Sequence, residues 1–203
     1  MGVRRGEDWG GTGALPPGAV IVSSDAEARE VVTGARRENR EIPVLALLGG
    51  DLCRTLGGRG DRARLDSPEA THVTCDLGSV LCDGRLHWFV AHLIARRSWW
   101  HGRVVAVMNA PLRGPWRVAP AGHPGDGRLD VLDADPDLVT RLRIRRRLGP
   151  GDHVPHPGIS LRRTTAQTFA FDPPLDIHLD GTAVGRFRDI AVRIEPGALR
   201  LVV

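Results

Sequence analysis

The apolar positions change their spacing part-way along the chain. Ala19-Val20-Ile21-Val22 is a short unbroken apolar run, which predicts a buried strand. Asp25 follows as a helix cap, and Ala26, Ala28, Val31, Val32 and Ala35 recur on one face of a helix running to about Asn39. Pro43-Val44-Leu45-Ala46-Leu47-Leu48 predicts a second buried strand. Gly49-Gly50-Asp51 then turns into a short helix that ends before Gly57-Gly58. Strand, helix, strand, glycine turn and helix make a piece of parallel α/β layer, with the loops gathered at one sheet edge. Residues 1–18 ahead of it, rich in Gly, Pro and charge, predict a flexible lead-in, and polar residues 58–70 predict a linker.

From His72 the period becomes two. Strands are expected over 72–80, 85–94, 103–109, 115–119, 128–132 and 158–171. One helix interrupts them, capped by Asp135 before Pro136, with Leu138, Val139, Leu142 and Leu148 on its apolar side. Near the end, Leu175, Ile177 and Leu179 alternate with Asp176, His178 and Asp180. Asp180-Gly181 is a tight-turn dipeptide, Val192 and Ile194 continue as a strand, and Pro196-Gly197 predicts another turn before Leu199, Leu201 and Val202. The fold class expected is α/β plus β: a truncated Rossmann-like part at 19–58, then a β-sandwich at 72–203.

Composition adds limits. The 203 residues suffice for a sizeable core, and 41% hydrophobic with 26% charged residues is ordinary for a globular chain. No apolar run approaches the ~18–20 residues of a membrane helix, and no signal peptide is recognisable, so a cytoplasmic location is expected. All 28 basic residues are Arg and Tyr is absent, which points to a GC-rich genome and weakens arguments from Arg content alone. The charge of +4 still favours anionic partners. Cys53, Cys75 and Cys82 form no Cys-x-x-Cys pair and read as reduced thiols. Arg141, Arg143, Arg145, Arg146 and Arg147 give the later helix a basic face, a solvated one or one suited to anionic lipid headgroups. Trp88-Phe89 and Trp99-Trp100 read as core and sandwich-edge residues rather than a lipid gate, although an exposed Trp99-Trp100 pair would suit a lipid-facing cleft.

Several segments, in order, resemble a family. Pro43 to Gly58 with Asp51, Arg54, Leu56 and Gly57 is one. Val107-Met108-Asn109 through Gly114, Val118-Ala119-Pro120 and Asp126-Gly127-Arg128-Leu129-Asp130 is another. The closing Asp180-Gly181, strand and Pro196-Gly197-Ala198-Leu199 is the last. Together they resemble the bacterial diacylglycerol-kinase-like lipid kinases, distant relatives of sphingosine kinases and NAD kinases. The resemblance implies a nucleotide–lipid cleft between the two parts, use of ATP and Mg²⁺, and a role in phospholipid metabolism. It places nucleotide contacts at Ser23, Ser24, Asp25, Gly49, Gly50 and Asp51, and catalysis at Asp180 and at Thr182, where the family carries its Glu base. It places a structural Mg²⁺ on Asp126, Asp130 and the Leu129 carbonyl, against which stands a plain Asp-capped turn.

The departures fall on the chemistry. Ser23-Ser24-Asp25-Ala26-Glu27 replaces a glycine-rich phosphate loop, and a Thr182 hydroxyl is no general base near pH 7. The family's opening strand has no counterpart, and an uncovered sheet edge there favours a homo-oligomer or a protein partner. The favoured reading is a degenerate member that binds lipid or a phosphorylated ligand. The alternatives are an active ATP-dependent lipid kinase, with Asp25 and Asp51 organising Mg²⁺, and, ranked lowest, an Arg-rich nucleic-acid binder.

Overall fold

The computed structural model of the chain describes residues 10–203, so Trp9 and the first part of the lead-in lie outside the described residues. In chain order the strands are β1 (Gly10–Thr12), β2 (Val20–Val22), β3 (Leu45–Leu47), β4 (Thr71–Cys82), β5 (Arg85–Phe89), β6 (His92–Arg96) and β7 (Val104–Met108). They continue as β8 (Leu112–Arg113), β9 (Trp116–Arg117), β10 (Leu129–Ala134), β11 (Ile159–Thr164), β12 (Ala166–Leu179) and β13 (Thr182–Val202). The helices are α1 (Asp25–Arg37), α2 (Gly50–Thr55), α3 (Arg62–Leu65) and α4 (Leu138–Leu148).

The main sheet runs β1-β4-β13-β12-β6-β7-β10-β11. β3 joins β13 in parallel, and β2 joins β3 in parallel, which makes the small α/β layer an extension of the same hydrogen-bonded sheet. α1 covers that layer, burying Ala28, Val32 and Ala35 against Val22, Leu45, Leu52 and Leu201. The sandwich core is built from alternate positions: Leu93 and Ala95 of β6, Val105 and Val107 of β7, and Ile177 and Leu179 of β12 point into it. The intervening Ile94 and Ala106 face the other way, under α4, which packs there through Leu148.

Five expectations change. Gly10–Thr12 is not part of a free lead-in but pairs with His72 and its neighbours on β4. The linker carries α3, capped by Asp61 and anchored by buried Leu65. The expected strand 85–94 breaks at Val90-Ala91, because the N–H groups of Val90, Ala91 and His92 donate to the Asp180 carboxylate instead of to a neighbouring strand. Pro196-Gly197 does not reverse the chain: β13 runs on antiparallel to β4, with a bulge between Glu195 and Leu199. Gly197, at φ +63°, turns its N–H onto Asp76 Oδ1 at 2.9 Å and so absorbs the extra residues. The caps also move by a residue or two. Ser24, not Asp25, caps α1, and Asp137, not Asp135, caps α4, each accepting a backbone N–H inside the first turn.

Candidate functional site

A cleft of about 440 Å³ lies where the N-terminal ends of α1 and α2 meet β6, the β8–β9 ribbon and the Asp180-Gly181 turn. Of the expected residues, Ser24, Asp25, Gly50, Asp51 and Asp180 line it. Ser23, Gly49 and Thr182 do not. Gly49 packs so closely on Ser23 that a Cβ there would come within 2.4 Å of the Ser23 carbonyl. Thr182 opens β13 opposite Leu179, exposed to solvent, so it does not occupy the position of a base in the cleft.

Each carboxylate at this site is already engaged. Asp180 is buried and accepts the N–H of Val90 on one oxygen, and those of Ala91 and His92 on the other, at 2.9 to 3.0 Å. Asp25 reaches across to the start of α2, accepting from Asp51 N at 2.5 Å and Leu52 N at 3.2 Å. The neighbouring Gly50, at φ +99°, leaves room for it, since a Cβ there would strike the Asp25 carboxylate. Asp51 accepts from Arg54 Nη2 at 2.7 Å and Gly114 N at 2.9 Å, and His92 Nε2 donates to it at 3.3 Å.

These contacts set the proton affinities. Burial, reinforced by the Asp180 charge, raises Asp25 to about 6 against its two backbone hydrogen bonds. Burial likewise raises Asp180, opposed by the His92 charge and the three N–H groups. Burial of the His92 ring works against its protonated form, but the hydrogen bond to Asp51 and the Asp180 and Asp51 charges outweigh it, so its pKa is raised. Asp51 goes the other way: burial is outweighed by the hydrogen bonds from His92 and Gly114 and by the His92 and Arg54 charges.

The phosphate side of the site is also filled from within. Glu27 Oε2 accepts the Ser23 N–H at 2.7 Å while Ser24 Oγ accepts the Glu27 N–H at 3.2 Å. This reciprocal cap puts a carboxylate over the N-terminus of α1, where the resemblance expects a phosphate. The residues present therefore do not fit an incoming Mg-nucleotide without displacing Glu27. The structural Mg²⁺ site fits no better. Arg163 lies directly across the ladder from Asp130, its Nε 3.2 Å from Asp130 Oδ1 and its Nη2 paired with Asp126. One guanidinium spans both carboxylates that were expected to hold the cation, and Asp126 also accepts the Arg128 N–H as an ordinary turn does. No group of three or more His, Cys, Asp or Glu side chains among the described residues is arranged to hold a metal ion.

Sequence reasoning missed His92, Arg113, Gly114 and Trp116, all of which line the cleft. His92 carried one signal, a buried-face position in an apolar strand. Arg113 and Trp116 carried none, because their two-residue strands are too short to show a period.

Arg113 and Trp116 also form the wall of a second space. This cavity, about 420 Å³, lies between α4 and the outer faces of β6, β7 and β10. Ile94, Val104, Ala106, Leu132, Ile144 and Leu148 make it apolar. At its rim Arg96 and Arg113 stack on Trp99 at 4.3 and 4.9 Å, and Arg145 lies over Trp100 at 5.8 Å. Trp88 and Phe89 are core as expected, whereas Trp99 and Trp100 stand exposed at this rim. The three cysteines are free and buried; burial pushes Cys75 up to about 12.

Residues 79–203 match the family of the YegS C-terminal NAD kinase beta sandwich-like domain. No curated protein matches the sequence. Among solved structures, a proposed diacylglycerol kinase from Bacillus anthracis str. Sterne superposes with a TM-score of 0.70 at 14% identity, over 90% of this chain and 76% of that one. A structure of a diacylglycerol kinase from the same organism gives 0.65 at 14% identity, over 90% and 75%. At such identities these two establish the fold, and the domain match establishes the kinship: the chain belongs to the YegS C-terminal, NAD kinase beta-sandwich-like family and has the diacylglycerol-kinase-like fold.

Proposed function

We propose that this protein is a lipid-binding member of the diacylglycerol-kinase-like family with little or no phosphoryl transfer. The observation that carries the reading is the apolar cavity under α4, opening beside the cleft through the shared Arg113 and Trp116. Its volume is of the size small-molecule sites use, and its walls suit acyl chains while Arg113 suits a polar headgroup. The cleft itself argues against turnover. Phosphoryl transfer relies on positioned donors and metal around the phosphates. Here Glu27 takes the Ser23 N–H, and the oxygens of Asp25, Asp51 and Asp180 are held by protein donors. The absence of a base at Thr182 alone costs ~10²–10⁴ in rate.

Calorimetric titration tests this. A soluble short-chain diacylglycerol is expected to bind, and Mg-ATP and Mg-ADP are expected not to bind at millimolar concentration. Glu27→Ala should then gain affinity for inorganic phosphate, since it frees the Ser23 N–H. The second reading, an active ATP-dependent kinase acting on a diacylglycerol-type hydroxyl, draws on the convergence of Asp25, Asp51, Asp180 and His92. Micromolar nucleotide binding and transfer at an ordinary kinase rate, both lost in Asp25→Ala and Asp51→Ala, would establish it and overturn the first.

A further inference from the structure

Helix α4 has two stripes with the same spacing. Arg141, Ile144, Arg145 and Leu148 recur at i, i+3, i+4 and i+7, and all line the apolar cavity. Val139, Leu142, Arg143 and Arg146 recur the same way two residues earlier, and all are exposed, Leu142 also bordering the cavity. Arg141 ties the helix down: it donates to the carbonyls of Pro136 at 2.8 Å and of Gly102, and it pairs with Asp135 at 3.3 Å. The outer stripe has no such engagement. Arg143, Arg145, Arg146 and Arg147 make no ion pair among the described residues. Ahead of the helix, Asp133 is committed to Arg103, Asp135 to Arg141 and Asp137 to the helix cap.

Apolar exposure is concentrated at the same place. Of the eight large hydrophobic residues that solvent reaches among the described residues, five are Trp99, Trp100, Leu138, Val139 and Leu142. Scattered singly, such residues need no explanation; gathered on one helix turn and an adjoining tryptophan loop, beside a run of Arg without carboxylate partners, they do. A nucleic acid would satisfy the guanidinium groups and leave Leu138, Val139 and Leu142 in water. A membrane surface satisfies both. Aliphatic side chains enter the acyl boundary, Trp sits at headgroup depth, and Arg meets anionic phosphates.

We infer that the outer stripe of α4, together with Trp100, docks this protein on the headgroup surface of an anionic bilayer, with the cavity mouth against the membrane. This rests on the lipid-binding reading for its purpose: a lipid would then pass from the leaflet into the cavity without crossing water. The surface itself stands on exposure and charge, so the two can fail separately.

The test is co-sedimentation of the full chain with vesicles of phosphatidylcholine alone and with one part in three phosphatidylserine, at low and high salt. Binding is expected to the anionic vesicles and to weaken as salt rises. The triple change Arg143→Gln, Arg146→Gln, Arg147→Gln should reduce partitioning about 100-fold, since each such charge near an anionic leaflet contributes about fivefold. Lys at the same three positions should preserve binding. Leu138→Ser, Val139→Ser, Leu142→Ser should also reduce it, by tenfold or more, with the fold kept because all three side chains are exposed and Leu148 still packs the helix down. Bromine-labelled lipid should quench tryptophan emission, less so in Trp100→Phe. Failure of the wild type to sediment with anionic vesicles overturns the inference. So does vesicle binding that the Ser variants leave unchanged, or retention of duplex DNA with no response to lipid. Vesicle binding without uptake of a short-chain diacylglycerol in the calorimeter keeps the docking surface and removes the lipid-binding function.

Discussion

Asp25 illustrates how much of this cleft has become structural. Its side chain starts from the first turn of one helix and completes the first turn of another, so two helices are joined by a single carboxylate. Charge buried in this way is costly, and the raised pKa of about 6 is the measure of that cost. Above pH 6 the carboxylate is ionised whether the chain is folded or not, and folding bears the full burial penalty. As the pH falls through 6 toward 4 the folded protein takes up a proton that the unfolded chain does not, and the protein becomes relatively more stable. Asp25→Asn removes this change. The variant should therefore compare best with the wild type near pH 7.5 and lose ground as pH falls to 4.5, by about 2 kcal/mol, or about 4–8 °C in melting temperature. The His153 ring, whose pKa burial lowers, shifts stability the other way, but it is common to both proteins and cancels. A difference in melting temperature that stays flat from pH 7.5 to 4.5 would show that Asp25 carries no burial penalty.

The β10–β11 ladder places Arg163 opposite Asp130, and the element does for the Asp126 turn what a bound cation was expected to do. Asp130 is almost fully buried, and burial raises it to about 6 against the pull of the Arg163 charge, with Asp126 adding to the rise. Chelator or added Mg²⁺ should thus leave the melting temperature of the wild type unchanged. Arg163→Ala strands two neighbouring carboxylates, one of them buried. It should cost about 2–4 kcal/mol and make the melting temperature rise with added Mg²⁺ or Ca²⁺. Metal-dependent stability of the wild type would refute this account. Nothing in the periodicity of 159–164 announced that role, because it depends on which strand lies alongside. The same distinction governs the rest of the sequence reading. The alternation of Leu175, Ile177 and Leu179, the stripe of α1 and the buried run of β3 were legible because each depends on residues a few positions apart. The bulge at Pro196-Gly197 was not, since Pro-Gly is also a turn dipeptide and only Asp76, 121 residues away, decides between them. The helix caps moved for a similar reason: Asp25 is drawn off to α2, which leaves Ser24 to cap α1. Of the residues flagged by their glycine and aspartate segments, Ser24, Asp25, Gly50, Asp51 and Asp180 line the cleft and Ser23, Gly49 and Thr182 do not, while His92, Arg113 and Trp116 come in by long-range packing that no short segment announces.

At the scale of the molecule, β4 and β13 decide how the two layers behave. They pair from Ile190 opposite Cys82 down to Val202 opposite His72, passing through the bulge without interruption of direction. Their upper ends belong to the sandwich core and their lower ends, with Leu199 and Leu201, to the core under α1. The α/β layer hangs on this pair through two parallel ladder positions, Leu201 with Leu45 and Val202 with Ala46, and through side-chain packing. It has too few strands to persist alone. Asp76 sits at the crossing point, almost fully buried, and holds Gly197 N at 2.9 Å and Gly127 N at 2.6 Å with its two oxygens. The layers should therefore unfold as one. Far-ultraviolet circular dichroism, which follows both layers, and the emission of a variant whose only tryptophan is Trp88, in the core under α1, should give coincident denaturant transitions. Asp76→Ala takes the carboxylate away from the N–H groups of half-buried Gly127 and exposed Gly197 and frees the bulge. It should lower the common midpoint by about 2–4 kcal/mol while the two signals stay together. Separation of the signals in the variant alone would mean that Asp76 is what couples the layers. Separation already in the wild type would mean that the shared strands do not couple them, and that the α/β layer opens on its own beside an intact sandwich.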